Sequence, residues 1–490
     1  MKLLKRKEKV MSTITIVLLL IYVVGFGGGS IFLICKSMGS GNASTTIEGK
    51  DGFGSRMGFI LSTIGMSVGV GAMWRFPMMC AQWGGGAFVL AFVIICVVCV
   101  LPAGWAELGY GRHFGKGAID AGNEAVGLPG RILGWIMSLD QICLWAYYPA
   151  IMALVVAYIF KTFKGLDYAS SGNAEQVFTT TNGNRPLMYG ILVCLLLLVA
   201  FIGAKGIANG IEKLCKVLLP ALAIILIVLV VRVCMIPGIA AGIEFYIKPD
   251  WSMLANPKMW ASAAGMALFA VGLGPGCLLT YSRYVDKKQD IAMDFITVNV
   301  VQLFICLLSG LVIVPAIVTF GMSDQMIEMG KGVMFVALPQ VFSTIAGGPF
   351  FMILFFIALL FAGISSSINQ LEVGLTGLMD EHGLHLSRKK ATIVGFVIAA
   401  LIAIPCTWND AFFKVFDNVI GNIGYCVCAL FLACICAWAI GAKKVREEWY
   451  GNTTTLAFIK HGRWIDFLYK YLFVLVMAYF TITAIISLFQ

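Results

Sequence analysis

Long apolar runs alternate with short polar connections along most of the chain, and glycines break two of the runs. The apolar segments lie near 56–80, 86–111, 131–160, 187–204, 212–236, 257–284, 291–321, 347–379, 391–406, 416–441 and 465–488. Nearly all reach the ~20 residues a helix needs to cross a bilayer, while Lys, Arg, Asn, Asp and Gly collect in the connections. Gly65-Met66-Ser67-Val68-Gly69-Val70-Gly71 interrupts the first span, and Gly272-Leu273-Gly274-Pro275-Gly276 interrupts the sixth. In hydrocarbon every backbone N–H and C=O must be paired, so such a break survives only where protein or a water-filled cavity satisfies it. Two broken spans in corresponding halves of a polytopic chain point to a transport site near the bilayer midplane. The predicted fold is an all-α polytopic membrane protein with discontinuous first and sixth core helices. Each broken helix opens a group of five, 56–236 and 257–441, an inverted 5+5 repeat with 465–488 appended.

Charge orients this plan. Alternate connections are rich in basic residues: Arg112, Lys116 and Arg131; Lys205, Lys213 and Lys216; Arg283, Lys287 and Lys288; Arg388, Lys389 and Lys390; Lys443, Lys444, Arg446, Lys460 and Arg463. The positive-inside bias assigns that side to the cytoplasm, so the first core helix starts in the cytoplasm and the C-terminus lies outside. Residues 1–11 are basic and 12–35 form an extra apolar segment, read as a retained accessory helix. If it spans, parity sends its basic start outside, against the same bias. A cleaved signal-like segment or an interfacial helix broken at Gly25-Phe26-Gly27-Gly28-Gly29 are the alternatives. A Gly/Ser/Thr-rich linker follows over 36–55.

Composition agrees with a membrane protein. Hydrophobic residues make up 60% of the chain and charged ones 12%, where a soluble domain carries roughly 25% charged. The net charge of +10 is loop charge between apolar runs, so no nucleic-acid partner is expected; the partners are a small solute and the lipid bilayer. Most of the 15 cysteines lie inside apolar segments, where a free thiol acts as a small hydrophobe. Cys96-Val97-Val98-Cys99 lacks the second pair of a metal site. All 4 histidines fall in polar connections, leaving no intramembrane histidine relay. No phosphate loop or nucleophile elbow is present, so the chain is not read as an enzyme.

Several motifs then occur in order. They are Arg56-Met57-Gly58-Phe59-Ile60-Leu61, Gly69-Val70-Gly71, Trp74-Arg75-Phe76-Pro77 and Gly84-Gly85-Gly86-Ala87-Phe88. Glu107 with Gly111-Arg112, Tyr147-Tyr148, Lys205-Gly206 with Glu212, Thr280-Tyr281 with Tyr284, and Ala362-Gly363-Ile364-Ser365-Ser366-Ser367 follow. Together they resemble the neurotransmitter:sodium symporter family, with its LeuT-like fold, over about residues 50–488.

The resemblance implies a sodium site built from the carbonyls of Gly65, Val68 and Ala362 and the hydroxyls of Ser365 and Ser366. The family's other sodium site falls on Ala72, Ala270 and Gln302, which cannot reproduce its side-chain oxygens, so one coupled sodium is expected. Met266 and Cys306 stand at the chloride-related positions, and no chloride dependence is expected. Substrate contacts map to Ser67, Gly69, Gly71, Tyr148, Phe269, Ala270 and Gly272. Leu144, Phe269, Gly272, Pro275, Ser366 and Gln370 outline the side-chain pocket, with Asn369 nearby. Gly69 replaces the aspartate of biogenic-amine carriers, which favours a solute bringing its own carboxylate. Arg75 with Asp417 maps to the outer gate, closed below by Phe269 and Tyr148, and Lys50 with Asp380 maps to the inner gate.

Four further acids lie in or near apolar segments. Glu107 is expected to satisfy backbone freed at a break, and Asp140 and Asp294 to reach toward water near the interface. Glu372 is a candidate proton carrier. The reading is therefore a sodium-coupled symporter of an amino acid or a similar solute. A proton-coupled or facilitative carrier and a non-transporting ligand sensor are the alternatives, and the oligomeric state stays open.

Overall fold

The computed structural model of the protein describes residues 28–30, 32–34, 52–169, 173–322, 330–449 and 462–486. Most of the expected accessory helix over 12–35, and Lys50, lie outside the described residues; 28–30 and 32–34 are helical. Among the described residues the chain is helical apart from turns and one isolated bridge between Gly85 and Pro249.

The first span is a bent pair, α1 (Arg56–Ser67) and α2 (Val70–Gln82), meeting at 59°. Then come α3 (Gly86–Phe114), a short α4 (Ala118–Val126), α5 (Leu128–Thr162), α6 (Arg185–Gly203) and α7 (Ile207–Cys234). The sixth span is also split, into α8 (Pro257–Val271) and α9 (Cys277–Ser282). The spans α10 (Ile291–Thr319), α11 (Gly348–Met379), α12 (Arg388–Trp408), α13 (Asp410–Glu447) and α14 (Arg463–Ile486) complete the bundle. Each interrupted span thus opens a run of five, and every apolar run from residue 56 onward is helical among the described residues.

Local chemistry sets where the helices start and stop. Ser55 caps α1 by accepting from the N–H of Gly58, satisfying one of the donors a helix start leaves open. Asn256 caps α8 through the N–H of Lys258. The break between α8 and α9 needs three residues with positive φ, and Gly272, Gly274 and Gly276 supply them at 69°, 107° and 86°. A side chain at any of the three would be strained.

The two broken spans lie inside the bundle. The helix α10 is 89% buried across its apolar stretch, whereas α14 is 28% buried. Uniformly apolar helices at the rim show their remaining faces to lipid, through residues such as Phe201, Ile224, Leu401 and Leu475. The helix α11 packs on α5 and α7, and α1 sits against α7, α10 and α11. Gly65 permits that approach: a Cβ there would stand 3.3 Å from Ser365 Cβ and 3.0 Å from Cys215 Sγ. The broken first span is thereby held against the serines of α11.

Candidate functional site

The last carbonyls of a helix have no intrahelical partner, and at the end of α1 these face α11. Ser366 Oγ donates to the carbonyls of Gly65 and Met66 at 3.3 Å each, and Ser365 Oγ donates to the Ala362 carbonyl at 3.0 Å. A hard cation holding oxygens at about 2.3–2.6 Å keeps neighbouring ligands at about this mutual spacing. Hydroxyl and carbonyl oxygens are also the donor chemistry such a cation requires. Both serines are buried, and Ser365 is fully so.

The first amides of α2 open onto the same region. Tyr148 Oη accepts from the N–H of Val70 at 2.8 Å. Gly69 is where this hydroxyl meets Ser366: a Cβ at 69 would lie 2.6 Å from Ser366 Oγ and 2.7 Å from Tyr148 Oη. Position 69 therefore has no room for the aspartate of amine carriers without displacing both hydroxyls. Phenylalanine at 148 leaves the buried Val70 amide unpaired, at about 1–3 kcal/mol. Tyr148→Phe is expected to cut uptake about 5- to 150-fold, with the protein still monodisperse on gel filtration; uptake equal to that of the wild type would refute this role for the hydroxyl.

A midplane cavity of about 40 Å³ is lined by Ser67, Gly69, Gly71, Leu144, Tyr148, Phe269, Ala270, Gly272, Ser366 and Gln370, all anticipated from the sequence. Pro275 is not among its lining residues, because the turn it belongs to carries the chain away between Gly274 and Gly276. Met66, Gln141, Cys277, Asn369 and Tyr425 also line the cavity. Gln141 was legible, since it precedes Leu144 and Tyr148 by three and seven residues and so shares their helix face. Tyr425, from a distant helix, gives no such signal.

Glu107 supports the second break as expected. Its carboxylate accepts from Gly274 N at 2.9 Å, Leu278 N at 3.0 Å and Leu279 N at 3.4 Å. A single side chain thus ties the break at Gly274 to the first turn of α9.

The two ends of the site differ. At the Arg56 end, Arg56 binds Asp294 through Nε at 2.7 Å and a terminal nitrogen at 2.6 Å. Glu212 accepts from Gly54 N at 2.7 Å and Ser55 Oγ at 2.9 Å. Phe53 is fully buried against Phe59 and Tyr281. This end is sealed. At the Arg75 end, no ion pair within 4.0 Å joins Arg75 to Asp417 among the described residues. The guanidinium instead lies 5.1 Å over the Phe269 ring, beside a cavity of about 250 Å³ lined by Arg75, Phe269, Gly421, Tyr425 and Cys426. The anticipated outer pair is not formed, because this cavity keeps α2 and α13 apart. Phe269 and Tyr425, with ring centroids 5.7 Å apart, line both cavities and divide them, so Tyr425 takes the place beside Phe269 that Tyr148 was expected to fill.

Other acids depart from expectation. Asp294 is completely buried and Asp140 is 4% exposed, so neither reaches water. Glu372 is fully buried in a bidentate pair with Arg388 at 2.8 and 2.8 Å, which ties up the carboxylate proposed to carry protons. Asp380 accepts from the N–H groups of Ile119 and Asp120 at 3.1 and 3.2 Å and stands 3.8 Å from Arg283. Its anticipated partner Lys50 lies outside the described residues.

Residues 50–185 and 179–490 match the Sodium:neurotransmitter symporter family. The chain belongs to that family. It is 32% identical over 443 residues to an uncharacterized sodium-dependent transporter of Haemophilus influenzae, covering 85% of this chain and 95% of the relative. It is 30% identical over 437 residues to another from Methanocaldococcus jannaschii, covering 86% and 87%. The crystal structure of MhsT in complex with L-phenylalanine superposes with a TM-score of 0.79 at 27% identity, over 89% of this chain and all of that one. The symporter is thus a sodium-coupled, multi-pass membrane transporter with the LeuT-like fold, not an enzyme.

One pH effect follows for this symporter. Burial raises the Asp380 carboxyl to about 6, against the pull of Arg283 and of the amides of Asp120 and Ile119. Released into water, an aspartate titrates near 3.9. The docked arrangement therefore binds the proton more tightly; its proton-linked stabilisation is complete below about 3.9 and is lost as pH rises through about 6. Amide-exchange protection factors over 118–126 are expected to be higher at pH 5 than at pH 7, with Asp380→Asn removing the difference. Equal factors in the wild type would exclude the linkage.

Proposed function

We propose that this symporter moves an amino acid or a closely related solute across the cell membrane together with one sodium ion. The observation that carries the reading is that both half-helix ends open onto one cavity. Freed carbonyls of α1 face Ser366, and the positive end of α2 faces Tyr148. A half-helix N-terminus suits a carboxylate, while the carbonyls at Ser67, Phe269, Ala270 and Gly272 suit an ammonium group. With Gly at 69, the carboxylate has to come with the solute. L-phenylalanine in MhsT is a solute of that class.

A single sodium accords with the remaining chemistry. Ser309 Oγ donates to the Ala72 carbonyl at 2.8 Å, and Gln302 Nε2 donates to Cys306 Sγ at 3.1 Å. Gln302 Oε1 is left as one buried side-chain oxygen without a partner, and Ala72 and Ala270 offer no side-chain oxygen to complete a site around it. The same Gln302–Cys306 contact fills the chloride-related region, so transport is expected to be independent of chloride.

Sodium at the α1–α11 junction fastens the Arg56 end, and solute binding then allows Arg75 and Asp417 to approach over Phe269. With the basic loops in the cytoplasm, the Arg56 end opens inward when its latches part and sodium leaves. The test is a thermal-shift screen of the purified protein against amino acids, with sodium or choline present, followed by uptake into proteoliposomes across a pH series. Stabilisation and uptake that need sodium and one class of amino acid are expected. Uptake indifferent to sodium and driven by pH would establish a proton-coupled carrier instead, and saturable binding without accumulation would establish a sensor.

A further inference from the structure

Behind the midplane cavity lies a carboxylate that the transport scheme does not use. Asp140 sits within α5, with no basic side chain within 4.0 Å among the described residues. Its Oδ2 accepts from Gln141 Nε2 at 3.2 Å. On its other side α13 closes over it, where a Cβ on Gly424 would lie 2.2 Å from Oδ1. An acid held at membrane depth without a countercharge points to a functional site.

Asp140 determines which way Gln141 faces. The Gln141 amide nitrogen turns toward the Asp140 carboxyl oxygen and toward Tyr425 Oη at 3.4 Å, and the amide oxygen turns toward Cys277. That oxygen receives only the weak S–H donor of Cys277, at 3.5 Å. Chained hydrogen bonds polarise one another, so the carboxylate makes the Gln141 oxygen a stronger acceptor.

Two more amide oxygens belong to residues lining the same cavity. Asn369 donates its nitrogen to the Ser365 carbonyl, which fixes its orientation, and its Oδ1 meets no hydrogen-bond partner. Gln370 Oε1 is likewise without a partner. The two residues are 1% and 6% exposed, so these acceptors are shielded from bulk water. Three amide acceptors beside a buried carboxyl group call for donors, and a cationic nitrogen brought close would favour the ionised form of that carboxyl.

Building on the amino-acid reading above, we propose that the cavity selects solutes whose side chain ends in N–H donors, a cationic nitrogen above all, and that Asp140 sets this preference through Gln141. A site built to hydrogen-bond a polar group rejects the analogue that lacks it far more strongly than a greasy pocket rejects a missing methylene.

The test is competition binding to the full-length protein in nanodiscs with sodium present, using lysine, ornithine, glutamine, methionine and norleucine as probes. Lysine and ornithine are expected to bind at least tenfold more tightly than norleucine, with glutamine between. Asp140→Asn is expected to cut the preference for ornithine over glutamine about tenfold while leaving glutamine within about twofold. A folding defect would show instead as a shifted gel-filtration profile and a lowered thermal midpoint. Gln370→Leu is expected to raise norleucine relative to glutamine and serves if Asp140→Asn does not fold. Norleucine or methionine binding as tightly as lysine overturns the inference while leaving the amino-acid reading intact. An Asp140→Asn protein that weakens all five probes equally overturns the role of Asp140. If no amino acid binds, the parent reading falls and this inference falls with it.

Discussion

Replacing both Ser365 and Ser366 with alanine is expected to abolish sodium-dependent uptake. The double variant removes the Ser366 oxygen that meets the carbonyls of Gly65 and Met66 and the Ser365 oxygen that meets the Ala362 carbonyl, and leaves only backbone to hold the proposed ion. Disturbing even the groups that support a metal's ligands lowers affinity about 10- to 100-fold, so loss of two direct ligands is expected to exceed that range. Small residues on α11 also allow close packing of α1, and alanine preserves that packing, since Gly65 meets the Cβ of Ser365 rather than its hydroxyl. The fold should therefore survive, and a sodium titration of thermal stability separates the two roles. The wild type should gain stability with sodium and the variant should not. Sodium-driven uptake unchanged in the variant would remove this site from the mechanism.

Glu107→Ala is expected to have the second-largest effect, for a different reason. The Glu107 carboxylate accepts from the N–H of Gly274 in the break and from two N–H groups in the first turn of α9, in a region with no bulk water to replace it. Hydrogen bonds to a charged group contribute about 1.5–3 kcal/mol each. Non-additivity leaves a net loss on the order of 3 kcal/mol, a large fraction of the stability of any domain. The α8–α9 break should then lose its geometry, and with it Phe269, Ala270 and Gly272 in the cavity wall. Transport is expected to fall to background, with a lower midpoint of thermal unfolding. Glu107→Gln keeps one carbonyl oxygen but turns an NH₂ donor toward backbone donors, so it should be intermediate. Wild-type uptake in Glu107→Ala would show that the break holds itself.

The helices, their breaks and the serine motif of α11 could be read one segment at a time. An apolar run of membrane length has to pair its backbone internally, so it forms a helix wherever it lies in the bundle. A Gly-x-Gly-Pro-Gly run has to leave the helix because its glycines adopt positive φ, as Gly272, Gly274 and Gly276 do. The motif at Ser365 and Ser366 sits on one helical turn, so its placement needed no knowledge of neighbours. Even Gln141 shares the helical phase of Leu144 and Tyr148.

Which side chain meets which across the bundle was a different matter, and packing alone settled it. Sequence placed Asp294 and Arg56 on separate helices, and only their juxtaposition made them a latch. Glu372 read as an available acid until α12 brought Arg388 against it. Arg75 and Asp417 have complementary charge, yet the cavity between α2 and α13 holds them apart. Tyr425 joins Phe269 because α13 crosses the mouth of the site there. Periodicity along a chain reports one helix's faces, whereas the partner of a buried charge depends on the angle and rotation at which distant helices pack. Pairs such as Arg56–Asp294 and Arg388–Glu372 form only where that packing brings them together, so the architecture was written locally and the electrostatic wiring was not.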